Sequence, residues 1–140
     1  MAQILVVDDE FPVRFLIRKV LESAGHSIFE VASGQETLDL LRSHPTPFDL
    51  IVLDVRMPHM DGFELLAILR RQPVSAHIPI IIASAHTDML PQIFEHEING
   101  YLPKPFTRQK LIDIVNYALV AHSTRPETRQ RESEDRRQNP

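Results

Sequence analysis

Residues 49–62 read DLIVLDVRMPHMDG. Leu50–Leu53 is an uninterrupted apolar run, short and rich in branched side chains, the pattern of a strand buried on both faces. It stops at Asp54. After Gly62, the stretch Phe63 to Arg71 has helical spacing and is broken by Pro73. Working outward, Ile4–Val7 repeats the buried run and is followed by Asp8, Asp9 and Glu10. Val13, Leu16, Ile17, Val20, Leu21 and Ala24 then form a helical stripe, with Pro12 suited to its first turn and Gly25 to its end. His26–Ala32 alternates as an edge strand does. Leu38, Leu40 and Leu41 fit a second helix closed near Pro45, and Ile78–Ala83 is a third buried run. Pro91–Glu97 has room for a short helix ended by Gly100, and Tyr101–Leu102 for a last strand. Thr107 is placed to cap a helix whose stripe is Leu111, Ile114, Val115, Ala118 and Leu119. Five strands alternating with five helices predict an α/β fold, a parallel sheet with helices on both faces.

At 140 residues, 43% hydrophobic and 24% charged, the chain suits one domain with a buried core. With no cysteine it has no disulfide scaffold, thiol nucleophile or thiolate metal site. A net charge of -4 argues against nucleic-acid binding. No apolar run approaches the ~20 residues that span a bilayer, and no basic, then apolar, leader opens the chain, so the expected location is cytoplasmic, with no membrane partner. The domain is expected over residues 1–122. Residues 123–140 hold five arginines, four acids and no hydrophobic residue, so a solvated, disordered tail is expected.

In a parallel sheet of this kind, ligands bind beyond the carboxyl ends of the strands. Those ends carry Asp8 and Asp9, then Asp54, Ser84 and Lys104. Three carboxylates on one rim repel each other unless a cation joins them, and oxygen-only ligands favour Mg2+ over zinc. Mg2+ commonly works beside phosphate oxygens, and Lys104 and Ser84 are suited to contact the same phosphoryl group. Singly, each residue has a plainer reading. An aspartate after a strand is often only a helix N-cap, Ser84 a turn residue and Lys104 a surface charge. Their joint placement at four strand ends is what those readings leave unexplained.

Together ILVVDDE at 4–10, DLIVLDVRMPHMDG at 49–62, IIASA at 81–85 and YLPKPF at 101–106 resemble the receiver domain of two-component response regulators, CheY-like, over about Gln3 to His122. The resemblance implies a flavodoxin-like, doubly wound (βα)5 sheet of order 2-1-3-4-5. It implies that Asp54 accepts a phosphoryl group, that Asp9 and Asp54 bind Mg2+ with Asp8 acting directly or through water, and that the Arg56 backbone carbonyl completes the set. Ser84 and Tyr101 match the switch pair, Lys104 the phosphate-contacting lysine, and Pro105 a proline usually preceded by a cis bond. The implied donor is a phosphohistidine on a sensor histidine kinase or phosphotransfer protein. The implied output is a changed docking surface for a downstream protein, made by the helix over 91–97, the last strand and the last helix. The role is a signalling switch rather than an enzyme, and a single-domain regulator is expected.

Arg56 and His86 flank the path of water to such a phosphoryl group, so they are candidates for tuning its hydrolysis. Phe11 and Phe15, before or off the first helix's stripe, are candidates for meeting a kinase. Glu97 and Ile98 stand where the family often has small residues, so the output face is where it departs most. The histidines form no metal-spaced pair, and Met57, Met60 and Met89 read as packing residues. Three rivals remain. An aspartyl-phosphate phosphatase normally has a second aspartate where Arg56 stands. A dinucleotide-binding domain needs glycines where this chain has acids, and a scaffold that is never phosphorylated would not need the full acid set.

Overall fold

The computed structural model describes residues 1–44, 48–85 and 98–123. The strands are β1 (Gln3–Val7), β2 (Ser27–Val31), β3 (Leu50–Leu53), β4 (Ile80–Ser84) and β5 (Gly100–Pro103). The helices are α1 (Phe11–Ser23), α2 (Gly34–Ser43), α3 (Gly62–Arg71) and α4 (Arg108–Ser123). All strand pairs are parallel and the order is β2-β1-β3-β4-β5, as the sequence predicts. His86, Met89, the helix expected over 91–97 and the tail from 124 lie outside the described residues.

Two cores explain the uninterrupted runs. Leu5, Val7, Ile51, Leu53, Ile80 and Ile82 pack into one core with α2 and α3 residues such as Leu38 and Leu65. Their neighbours Ile4, Val6, Leu50, Val52, Ile81 and Ala83 pack into the other, with Ile17 and Leu21 of α1 and Leu111 and Val115 of α4. Successive side chains point to opposite faces, and each face is covered, so the central strands are apolar except at their ends, Gln3 and Ser84. β2, at the edge, is half-buried throughout.

The caps are local. Ser33 accepts the Glu36 amide at 3.1 Å, and the Glu36 carboxylate returns to the Ala32 amide, a capping-box arrangement for α2. Asp61 caps α3 through the Glu64 amide at 2.9 Å, and Thr107 caps α4 through the Lys110 amide at 3.1 Å. One plainer single-residue reading falls away, and two expectations need correction. Neither Asp8 nor Asp9 caps α1, whose N-cap is Glu10, and no side chain caps it. Leu16 is 51% exposed and Ala24 is also exposed, because the buried line of α1 runs through Ile17, Val20 and Leu21. β4 starts two residues later than expected, past Pro79, which has no amide for the ladder.

Gly62 matters for the site. Its amide donates to the Val55 carbonyl at 2.6 Å, folding the β3–α3 loop back on itself. A Cβ there would stand 2.7 Å from the Val55 Cα, backbone against backbone. At Gly34 a Cβ would meet only the Met60 thioether, the far end of a flexible side chain. G62A is therefore expected to destabilise the fold by about 1–3 kcal/mol in urea denaturation, and G34A by clearly less; equal losses would refute this account of the loop.

Candidate functional site

The carboxyl ends of β1, β3, β4 and β5 carry the polar residues that the sequence singles out. β1 runs directly into Asp8, whose amide extends the β1–β2 ladder by donating to the Val31 carbonyl at 3.2 Å. β3 runs into Asp54, whose amide donates to the Val7 carbonyl at 2.9 Å. Both carboxylates are thereby held by backbone at the same end of the sheet. Asp8 is 2% and Asp54 6% exposed, whereas Asp9 is exposed. One carboxylate oxygen from each of Asp8, Asp9 and Asp54 lies within 4.8 Å of the others.

Lys104 arrives from β5. Its amide donates to the Ser84 carbonyl at 2.9 Å, which joins it to the end of β4, and the Lys104–Pro105 peptide is cis, as expected. Its ammonium donates to Asp8 Oδ2 at 2.7 Å and stands 3.7 Å from Asp54 Oδ1. The other Asp8 oxygen accepts the Glu10 amide at 2.9 Å, and the Asp8 backbone carbonyl accepts from Arg14 Nη1. Arg14 carried no signal in the sequence beyond a polar position in a helix.

Ser84 is fully buried at the end of β4, the strand next to Asp54's. Tyr101 of β5 sits opposite Ile82, and its hydroxyl is buried without a hydrogen-bond partner among the described residues. Arg56 is exposed, Met57 is buried, and Met60 packs against the core. Phe11 and Phe15 are 61% and 47% exposed with ring centres 5.9 Å apart. A separate, mainly apolar concavity of about 350 Å³ lies between β5 and α4, lined by Tyr101, Pro103, Lys110, Asp113, Ile114 and Tyr117. Asp8, Asp9 and Asp54 are not among the residues that line it.

Burial pushes the Asp54 carboxyl up to about 6; Lys104 opposes the shift, and Asp8 and, less, Asp9 add to it. Three carboxylates against one ammonium leave the cluster short of positive charge. Among the described residues its donors are all carboxylate oxygens, with no imidazole or thiolate among them. Such a set fits a hard divalent cation.

A family model described as the response regulator receiver domain matches residues 4–116. The chain belongs to that family. It is 35% identical over 127 residues to the DNA-binding transcriptional regulator NtrC of Klebsiella pneumoniae, covering 89% of this chain and 26% of that protein. The receiver thus spans about a quarter of that relative's length. It is 32% identical over 123 residues to sporulation initiation phosphotransferase F of Bacillus subtilis, covering 86% of this chain and 96% of that one. Among solved structures it resembles the receiver domain of the sensor histidine kinase PA1611 from Pseudomonas aeruginosa, which has a magnesium ion coordinated in its active-site cleft. There the identity is 28%, the TM-score 0.77, and the match covers 84% of this chain and 97% of that one. Receiver domains are phosphorylation-dependent signalling switches that meet sensor kinases or phosphotransfer proteins. Among the described residues, no helix is long and apolar enough to cross a membrane.

The raised Asp54 pKa has a stability consequence. Between the ordinary value of 3.8 and about 6, the folded chain binds a proton that the unfolded chain does not, so stability falls as pH rises through this window. Above it, the ionised carboxylate destabilises the metal-free fold by about 3 kcal/mol, at ~1.4 kcal/mol per pKa unit. D54N is expected to be more stable than wild type by about that amount at pH 7 in EDTA, and the gap to close near pH 4. Denaturation midpoints at both pH values check it; no gap at pH 7 would refute it.

Proposed function

We propose that this receiver is switched by transfer of a phosphoryl group from a phosphohistidine donor to Asp54. One observation carries the reading above all: a lysine ammonium lies beside two buried carboxylates, with a third within 4.8 Å, all at the carboxyl ends of the strands. An Asp54 oxygen would form the new bond to phosphorus as the phosphorus–nitrogen bond of the donor breaks. The bonding electrons stay with the imidazole, which takes up a proton. Lys104 would screen the oxygens of the transferring group, and its contact with Asp8 holds it within reach of Asp54. Bound Mg2+, held by Asp9, Asp54, the Arg56 carbonyl and Asp8 directly or through water, would supply further neutralisation of those oxygens. The excess of carboxylate over ammonium, and Asp54's raised pKa, support that assignment.

For the switch, Ser84 would turn its hydroxyl toward the phosphoryl group and Tyr101 would move with it. A tyrosine hydroxyl with no hydrogen bond to break among the described residues is suited to such a move. The two states then differ at β5 and α4, where a downstream protein would dock. Arg56 and His86 are proposed to tune hydrolysis of the acyl phosphate. The exposed Phe11–Phe15 pair, on the helix that starts at the acid loop, is proposed as the contact for the donor protein. Signalling without nucleic-acid binding by this domain fits its negative charge.

Intact mass after incubation with Mg2+ and acetyl phosphate tests the central step. Wild type is expected to gain one phosphoryl group, and D54A and EDTA-treated wild type none. A wild type that stays unmodified, or a D54A that is modified equally, would refute it, and turnover of many phosphate esters per chain would favour a phosphatase instead. F15E is expected to slow transfer from a phosphohistidine protein at least several-fold while leaving acetyl phosphate reactivity intact; equal transfer rates would remove the aromatic pair from the donor surface.

A further inference from the structure

We propose that Arg14 is a positioning residue for the metal-binding loop, fixing the Asp8–Asp9 peptide through its carbonyl. This presupposes that Asp8, Asp9 and Asp54 hold Mg2+, as proposed above. Asp9 is exposed, so its direction depends on the backbone that carries it. That backbone has an unusual weakness. The loop from Asp8 to Glu10 enters α1 through an N-cap, Glu10, that makes no side-chain capping bond. The usual anchor between a loop and the helix after it is therefore missing.

Arg14 supplies a replacement from the first turn of α1. Its Nη1 donates to the Asp8 carbonyl, the oxygen that sets the plane of the peptide joining Asp8 to Asp9. Its backbone amide meanwhile donates to the Glu10 carbonyl at 3.1 Å, so one residue closes on the loop from both directions. The Arg14 side chain is only 14% exposed, although a helix-surface arginine can ordinarily extend into water.

Its other contacts argue that holding α1 on β2 is not its main work. Arg14 Nε lies 3.5 Å from Glu30 Oε1, an ion-pair distance, yet it is buried with no hydrogen bond among the described residues. A buried donor left unpaired costs stability. Arg18, one turn later, already makes the well-formed bond from α1 to Glu30, at 2.9 Å. Glu30 thus has a sufficient partner without Arg14, whereas the Asp8 carbonyl has only Arg14 among the described side chains. The planar fork of a guanidinium presents several fixed donors, enough to face Asp8 and Glu30 together.

Calorimetric titration of the full chain with Mg2+, paired with melting in EDTA, separates positioning from adhesion. R14A is expected to weaken Mg2+ binding about tenfold, as losses of supporting contacts around metal ligands do, and R14K to recover part of it. R18A, which removes the better Glu30 pair, is expected to lower the melting temperature while leaving the Mg2+ dissociation constant within about twofold, since it touches no metal-ligand contact. Saturating Mg2+ should return R14A to the wild-type rate of modification by acetyl phosphate. Should R14A not fold, R14K against R18A carries the same comparison. Wild-type Mg2+ affinity in R14A or R14K would overturn the positioning role and leave the metal assignment standing. A wild type that takes up no Mg2+ would overturn both.

Discussion

Like charges held together under partial burial are the constraint around which this chain is built. Asp8 and Asp54 are almost wholly withdrawn from water, and Asp9 brings a third carboxylate oxygen within 4.8 Å. Left alone, such a cluster would either protonate or pull the strands apart. Lys104 prevents this in part, bonding Asp8 at 2.7 Å and facing Asp54 at 3.7 Å. The asymmetry is informative. Asp8 also has the Glu10 amide on its other oxygen, so its charge is well met. Asp54 has the Val55 amide but only the longer contact with Lys104, and burial raises its carboxyl to about 6.

The sheet makes that cluster possible at low conformational cost. In a parallel sheet all carboxyl ends lie on one rim, so residues 8, 54, 84 and 104 become neighbours simply by following their strands. Backbone bonds do the placing: Asp54 to Val7, Asp8 to Val31, and Lys104 to Ser84. The double core beneath, with alternate residues of each central strand in opposite clusters, keeps those strands from sliding, because a one-residue slip would exchange the two faces. Gly62 then lets the loop after Asp54 fold back onto Val55.

Much of this was legible in the sequence because period and punctuation carry it. The uninterrupted runs at 4–7 and 50–53 announced strands covered on both faces, and the acids at their ends announced a polar rim. The edge character of β2 was visible in its alternation. What the sequence hid depended on how side chains turn. Leu16 fits a helical stripe by spacing, but the rotation of α1 leaves it half-exposed. The strand-end aspartates looked like caps, yet the carboxylate of Asp8 faces Lys104 across 96 positions of chain. Arg14 is the clearest case. Nothing in its neighbours distinguishes it from Arg18, and only the fold shows one guanidinium reaching the Asp8 carbonyl and the other reaching Glu22 and Glu30.

A single lysine serving two carboxylates also explains why the domain can be both foldable and responsive. If the ammonium fully neutralised Asp54 as well as Asp8, an added cation would have little to gain there, and the nucleophile would be locked in an ion pair. If it met neither, repulsion among the acids would weigh on the fold. Placing the strong bond on Asp8 and the longer contact on Asp54 leaves the deficit on the residue proposed to react. Positive charge brought by a cation is therefore felt most at Asp54. The phosphoryl group would arrive with Lys104 already beside its site, so its oxygens meet a fixed charge without waiting for one to be recruited.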